Sequence, residues 1–526
     1  MLFQQFMPDI DCSIGKSTVG SIHQSQRRQE SAMSTQESAT RESARDTGIR
    51  AQLFIDGEYT DGSGSQSTTI ISPATGEPIA ALPVPGRADL DAAVSAANHA
   101  QRAWGRTGVW QRADVCHRIG DALGAHVEEL ARLQTLEQGK PLAESRADIE
   151  EAAQLFHLHA EDAVRLYGET LPSTDPSKLM FTWRKPVGTW GIITPWNFPL
   201  LMFTEFAAPG LATGNAIVVK PPTHTALTVL KAMEYIVEAG LPSGLVNVLP
   251  GEGDFGAQLV GHDGIDAVGF IGSSATGAKI AATAGLKRSV MECSGNGPVI
   301  VLDDADMERA AKAAVDSAFY CAGQVCCATE RVIVHRDAHE AFVAAAVSYA
   351  KTVRLGDPFD ETTNLGPLNN PGVAEKMDRH LTEARERGFD VILGGGRAQG
   401  YPTDLYFEFT IVDNVAEDSL LSREESFGPV LPIIVAEDDE DALRIANSDD
   451  LGLQSAVFTE NINRGFRFME ELETGQVLIN ESNGWWDVNM PFGGAGGKNT
   501  GWGRIGGMYT LHDMTDLRTG VIHVEK

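Results

Sequence analysis

Between Trp190 and Ile271, short apolar runs alternate with amphipathic stretches, and this rhythm limits the possible folds more than any other feature of the chain. Residues 190–194, 216–220, 245–249 and 267–271 read as buried strands, with helices over 199–211, 225–239 and 254–260 between them. Strands that are apolar throughout and joined by helices predict a mostly parallel sheet with both faces covered. After Met291-Glu292 a second α/β rhythm starts at Val299-Ile300-Val301-Leu302 and runs to about Asn480. A chain of 526 residues exceeds what one core supports, so at least two packed α/β units are expected.

Composition narrows the function classes. At 42% hydrophobic and 22% charged residues the chain is of ordinary globular type. A formal charge of −30 excludes the basic face of a nucleic-acid binder and opposes an anionic membrane surface. Six cysteines in this length do not make a disulfide framework, so a reducing, cytoplasmic setting is expected. Lysine supplies only 13 of the 42 basic residues, which suits adaptation to high salt or simply an acidic cytoplasmic enzyme. Residues 1–50 balance six basic against six acidic side chains and show no apolar run of the length a signal peptide needs before Ile49. They read as a disordered extension and not as a signal or transit peptide, with Met33 an alternative start. The most apolar run, 199–219, carries Glu205, Pro209, Gly210, Gly214 and Asn215, and reads as a buried helix and turn instead of a membrane span.

Ahead of the alternating region, Leu53–Tyr59 is a short strand-turn signal and Ser72–Glu77 a turn cluster. Helical patterns follow over 88–107, 111–138 and 145–166. Pro172, Pro176 and Pro186 then bracket a strand-like excursion at 178–183, and 516–524 is strand-like again. No internal repeat is present.

Three of the six cysteines fall within residues 321–327, where a helical stretch from Met307 runs into Gly323 and a β-branched run begins at Arg331. A Gly-containing turn between helix and strand holds a side chain rigidly while letting it face a cleft, which makes Cys326 a candidate nucleophile. No histidine adjoins it, His335 being nine residues on, so a zinc site or a local Cys–His pair is disfavoured and no metal is expected. Glu292 ends a strand-like run in semi-apolar surroundings, where a carboxylate with raised pKa can act as a base. Asn197, in the loop Thr194-Pro195-Trp196-Asn197-Phe198-Pro199, can aim an amide at a developing oxyanion, although Asn in a loop is commonly just a turn residue. Lys220 ends a strand before Pro221-Pro222, facing either a crevice or solvent. Gly251-Glu252-Gly253-Asp254-Phe255-Gly256 matches G-x-G-x-x-G but lacks the acid about 20 residues on, so it reads as a tight turn before a standard diphosphate loop. Gly272-Ser273, with Gly277 in the following helix, is the better phosphate site, or else a plain N-cap. Glu425 and Phe427 lie two apart in one loop, and 490–497 is too Gly-rich for packing alone.

In this order, these motifs resemble the aldehyde dehydrogenase superfamily from Phe54 to Val524. The carriers are Pro195–Pro199, Lys220-Pro221, Gly272-Ser273 with Gly277, Glu292, Gly323-Gln324-Val325-Cys326, Glu425 with Phe427-Gly428-Pro429, and Pro491-Phe492-Gly493-Gly494. The resemblance implies oxidation of an aldehyde to its acid with NAD or NADP. Cys326 corresponds to the nucleophile, Asn197 to the oxyanion donor and Glu292 to the base that activates water. Lys220, Ser273, Glu425 and Phe427 correspond to cofactor-binding positions, joined by Thr194, Pro195, Trp196, Thr223, Gly253, Gly272 and Gly277. It also implies a Rossmann-like cofactor domain (51–163 with 185–293), a second α/β catalytic domain (294–489) and a small β oligomerisation element (164–184 with 505–526) serving a homodimer or homotetramer.

Three departures qualify it. Glu292-Cys293-Ser294-Gly295 stands where the family commonly has E-L-G-G. Thr223 stands where many NAD-preferring members carry an acid for the ribose hydroxyls, so NADP is expected to be tolerated or preferred. Glu205, eight residues past Asn197, stands where succinate-semialdehyde-type relatives often have arginine, and disfavours an anionic substrate if it faces the channel. Two readings from other classes remain on these residues: a cofactor-free cysteine esterase or amidase, and a catalytically silent binding protein.

Overall fold

The computed structural model describes residues 49–525; the expected disordered extension lies outside them except for Ile49 and Arg50. The alternating region forms the centre of an eight-stranded sheet. Thr189–Ile193 lies in its middle, and the chain steps outward through Ala216–Lys220 to Val246–Val248. It then crosses back to lay Ala267–Gly272 and Arg288–Cys293 on the opposite side. These five strands are parallel, as their apolar sequences predict, and every residue of Thr189–Ile193 and Ala216–Lys220 is buried. Antiparallel edges are added by Leu53–Ile55 with Glu58–Thr60 and by Gly501–Trp502.

Parallel strands share one C-terminal edge. Thr194, Lys220, the 249–253 turn, Ser273 and Glu292 therefore arrive along a single rim, with the crossover point between Thr189–Ile193 and Ala267–Gly272.

The second rhythm forms a seven-stranded sheet in which only Asp390–Leu393 runs antiparallel. Each large sheet has its own apolar core, one including Ile192, Val218 and Phe270, the other Ile300, Ile333 and Ile434. A third sheet pairs Thr515–His523 with Lys178–Pro186 over nine residues, as the two strand-like segments suggest. No helix of the described residues is long and apolar enough to cross a membrane.

The helix expected over 111–138 is two helices, Val109–Ala125 and Val127–Gln138. His126 breaks it: its Nδ1 lies 2.8 Å from the Ala122 carbonyl and its ring stacks on Tyr235 at 3.7 Å. A side chain competing for a helical carbonyl, fixed by tertiary stacking, bends the ladder there.

Candidate active site

The turn that carries Cys326 belongs to the second sheet and meets the rim of the first. Helix Met307–Phe319 ends, and Cys321, Ala322 and Gly323 follow with φ of 50°, 55° and 73°. The left-handed region costs a non-glycine residue about 1–2 kcal/mol, so two such residues in a row need outside support. The Cys321 N–H donates to the buried Glu144 carboxylate at 2.9 Å, and Gln324 Nε2 donates to the Cys321 carbonyl at 2.7 Å. Gln324 Oε1 accepts from Asn369 N–H at 2.9 Å. Gly323 is required, because a Cβ there would lie 2.2 Å from the Gly428 carbonyl oxygen. The result leaves Cys326 half-buried on a cavity of about 730 Å³, while Cys321 is buried away and Cys327 is buried beside it.

Strand Arg288–Cys293 delivers Glu292 to the same cavity, almost fully buried. Ser294 then turns with φ of 30°, and Gly295 passes so close that a Cβ would sit 2.2 Å from the Cys326 carbonyl oxygen. Burial pushes the Glu292 carboxyl up to about 8, against the opposing pull of a hydrogen bond from the Cys326 thiol. The Cys327 thiol, burial and Glu292 together hold the Cys326 thiol well above its ordinary value.

Asn197 is buried in the loop after Thr189–Ile193. Its Nδ2 donates to the Gln324 carbonyl at 2.8 Å, which fixes the amide and leaves its second N–H for a ligand.

Pro195, Trp196, Gly272, Ser273, Glu425 and Phe427 line the same cavity, whereas Thr194, Lys220, Thr223, Gly253 and Gly277 do not. Glu425 accepts from Gly295 N–H at 3.1 Å, and burial raises its carboxyl to about 7. Phe427, with φ of 54°, packs edge-on to Trp196 at 5.5 Å. Lys220 and Thr223 sit further along the rim: Lys220 Nζ donates to the Gly251 carbonyl at 2.5 Å, and burial lowers its pKa to about 8. The G-x-G-x-x-G segment is a turn whose Gly253 opens helix Gly253–Gly261, with open space around its Cα. Ser273 caps helix Ser274–Ala284, the plainer of its two readings. Gly277 packs against strand Arg288–Cys293, where a Cβ would lie 2.5 Å from Cys293 Sγ. The Cys of Glu292-Cys293-Ser294-Gly295 thus fills the space that this glycine leaves.

Glu205 does not line the cavity. It is fully buried on helix Pro199–Thr213, where burial and Glu151 raise its carboxyl well above the carboxylate range. Glu151, on helix Leu142–Val164, does line it.

Two supporting residues carried no signal in the sequence. Buried Glu330 accepts from Ser426 N–H at 2.8 Å and Phe427 N–H at 3.0 Å, holding the Glu425–Phe427 loop. Lys376 Nζ donates to the Glu425 carbonyl at 2.9 Å. Asp303, His335 and Asp439 bring ligand atoms within 4.8 Å of one another, but Arg464 already binds Asp303 at 2.8 Å and Asp439 at 2.5 Å.

A dinucleotide fits the rim. Thr194 Oγ1 and Ser274 Oγ are buried there without partners, Lys220 and Ser273 stand at strand ends, and Glu425 and Phe427 close the end nearest Cys326.

The family model described as aldehyde dehydrogenase family matches residues 59–520. Mitochondrial succinate-semialdehyde dehydrogenase of Oryza sativa subsp. japonica is 35% identical over 490 residues, 92% of each chain. The crystal structure of succinate-semialdehyde dehydrogenase from Burkholderia pseudomallei superposes with a TM-score of 0.88 at 32% identity, covering 90% of this chain and 98% of that one. A point mutant of betaine aldehyde dehydrogenase from Staphylococcus aureus, in complex with NAD+, gives 0.87 at 32% identity, covering 91% and 98%.

Proposed function

The chain belongs to the aldehyde dehydrogenase family and is an NAD(P)-dependent oxidoreductase acting on aldehydes, and from that premise we propose how its own residues do the chemistry. The observation that carries the proposal is the meeting of Cys326, Glu292 and Asn197 on one cavity, drawn from both large sheets. The Cys326 thiol gives its proton to solvent water, and its thiolate adds to the aldehyde carbon to give a thiohemiacetal alkoxide. The free N–H of Asn197 and the backbone N–H of Cys326 are the donors for that oxygen. When bound, the nicotinamide supplies the hydride acceptor that turns the thiohemiacetal into an acyl thioester. Lys220, Thr223, Ser273, Glu425 and Phe427, with the loop from Thr194 to Trp196 and Gly253, Gly272 and Gly277 shaping the rim, hold the dinucleotide. Glu292 then takes a proton from water, whose oxygen attacks the thioester carbon, and the carboxylic acid leaves as Cys326 is regenerated.

The substrate we infer carries no carboxylate tail. Succinate semialdehyde, named by two of the similar proteins, is an anion. Here Asp148, Glu151 and Glu481 line the cavity, and Lys376 is the only cation among its described lining residues. Lys376 is turned to the Glu425 carbonyl, and the nearby buried Lys140 is paired with Asp148 at 2.5 Å. Phe198, Tyr320, Trp485 and Trp486 give the walls an aromatic character that suits an uncharged, apolar aldehyde.

The same reading divides the chain into cofactor (51–163, 185–293), catalytic (294–489) and oligomerisation (164–184, 505–526) parts, in a cytoplasmic homodimer or homotetramer. Its support is the edge strand Thr515–His523, which exposes Leu517, Val521 and Ile522. A matrix of aldehydes against NAD and NADP, read by cofactor reduction at low and high salt, tests the function. Uncharged aromatic or aliphatic aldehydes should exceed succinate semialdehyde at least tenfold in kcat/KM; the opposite order sinks the substrate inference.

A further inference from the structure

We propose that Glu252 sets the dinucleotide preference of this enzyme, supplying from a neighbouring loop the carboxylate that position 223 lacks, and that the site therefore selects NAD over NADP. The inference rests on the reading of the strand-end rim as the dinucleotide site. Thr223 alone pointed the other way, because a hydroxyl there offers a 2′-phosphate no repulsion.

The two loops are tied together twice. Lys220, the last residue of its strand, donates from Nζ to the Gly251 carbonyl at 2.5 Å. Three residues on, past the stiff Pro221-Pro222 pair, buried Thr223 donates from Oγ1 to Glu252 Oε1 at 2.7 Å. Gly251 lets the second loop bend this way, since a Cβ there would lie 2.9 Å from the Phe255 ring. The carboxylate is thus fixed one hydrogen bond from the residue-223 side chain, at the carboxyl ends of Ala216–Lys220 and Val246–Val248.

Glu252 forms no ion pair among the described residues, and its side chain is exposed on the rim, so its remaining acceptor capacity is open to ribose hydroxyls. A 2′-phosphate in the same place meets a fixed negative charge. The cation nearest by contact, Lys220, is engaged by Gly251, and burial keeps the imidazole of the neighbouring His224 on the neutral side. No arginine touches Thr223 or Glu252 among the described residues, so the fork that would clamp a phosphate is absent. A carboxylate that accepts from the ribose hydroxyls selects the unphosphorylated dinucleotide.

The test is binding of NAD and NADP to the full chain by titration calorimetry, in the wild type and in Glu252→Gln, with kcat/KM for each cofactor alongside and thermal melting to show that the variant folds. Gln keeps an acceptor for Thr223 and removes the charge. The wild type should bind NAD at least tenfold more tightly than NADP. Glu252→Gln should shrink that ratio at least fivefold, chiefly through tighter NADP binding. A wild type that binds both equally or favours NADP overturns the proposal, as does a ratio unmoved by Glu252→Gln. If folded wild type binds neither dinucleotide, the rim is not the cofactor site and the underlying reading fails with it.

Discussion

The side-chain amide of Asn197 donates to the backbone carbonyl of Gln324 at 2.8 Å, two residues before Cys326. The bond joins a loop of the first sheet to the Cys326 loop of the second, so the proposed oxyanion donor and the proposed nucleophile are set by one contact. Removing an oxyanion donor typically costs about 10²–10³ in kcat. Asn197→Ala should lose activity on that scale in steady-state assays while calorimetric dinucleotide affinity stays within a few-fold of wild type. A variant that keeps more than half its kcat would remove Asn197 from the proposed role.

Gly295 makes a tighter demand. Its Cα faces the Cys326 carbonyl so closely that a Cβ would stand 2.2 Å from that oxygen, and the neighbour is backbone, which cannot swing aside. Gly295→Ala should force the Glu292 and Cys326 segments apart, lowering stability by about 1–3 kcal/mol as overpacking does, and reducing kcat far more than a loss of folded protein explains. Denaturant unfolding together with activity per folded molecule checks this.

The Glu292 carboxyl is raised to about 8 by burial, so it is a base only once it has lost its proton. When hydrolysis of the thioester limits turnover, kcat should climb about tenfold per pH unit below that value and level off above it. Stability should move the other way. Glu137, Glu144, Glu292, Glu330 and Glu425 all titrate at about 7 or 8 in the folded chain because burial disfavours their charge. Each contribution is whole below the ordinary carboxylate range, near 4.5, and is lost as pH rises towards the folded value. Melting temperature should therefore fall between about pH 4.5 and pH 8 and level off above that, and Glu292→Gln should lessen the fall.

Much of the fold was legible because it is written locally. Buried parallel strands are continuous apolar runs, and 216–220 and 267–271 show it, the structure adding only Gly272 to the second. The break in the helix expected over 111–138 is not legible locally, because its cause, the stacking of His126 on Tyr235, spans more than a hundred residues. Cys326, Glu292 and Asn197 could be picked out by their motifs, and their convergence could not, since it depends on how the two sheets face each other. Glu330 and Glu252 escaped for the same reason. Each acts through a partner on a distant loop, and an acid beside a glycine or a strand carries no mark of that partner. Glu205 shows the limit of position counting, because a helix spacing does not say which carboxyl reaches the cavity and which is buried behind it.

In the proposed chemistry Cys326 carries the acyl group and Glu292 releases it. Rapid mixing of Glu292→Gln with aldehyde and cofactor measures the two steps apart. Glu292→Gln should give a burst of about one reduced cofactor per active site, followed by steady turnover about 10²–10⁴ below wild type, and Cys326→Ala should give no burst at all, while Cys327→Ala behaves much like wild type. Steady turnover by Glu292→Gln at the wild-type rate, or dehydrogenase activity surviving in Cys326→Ala, would contradict that chemistry.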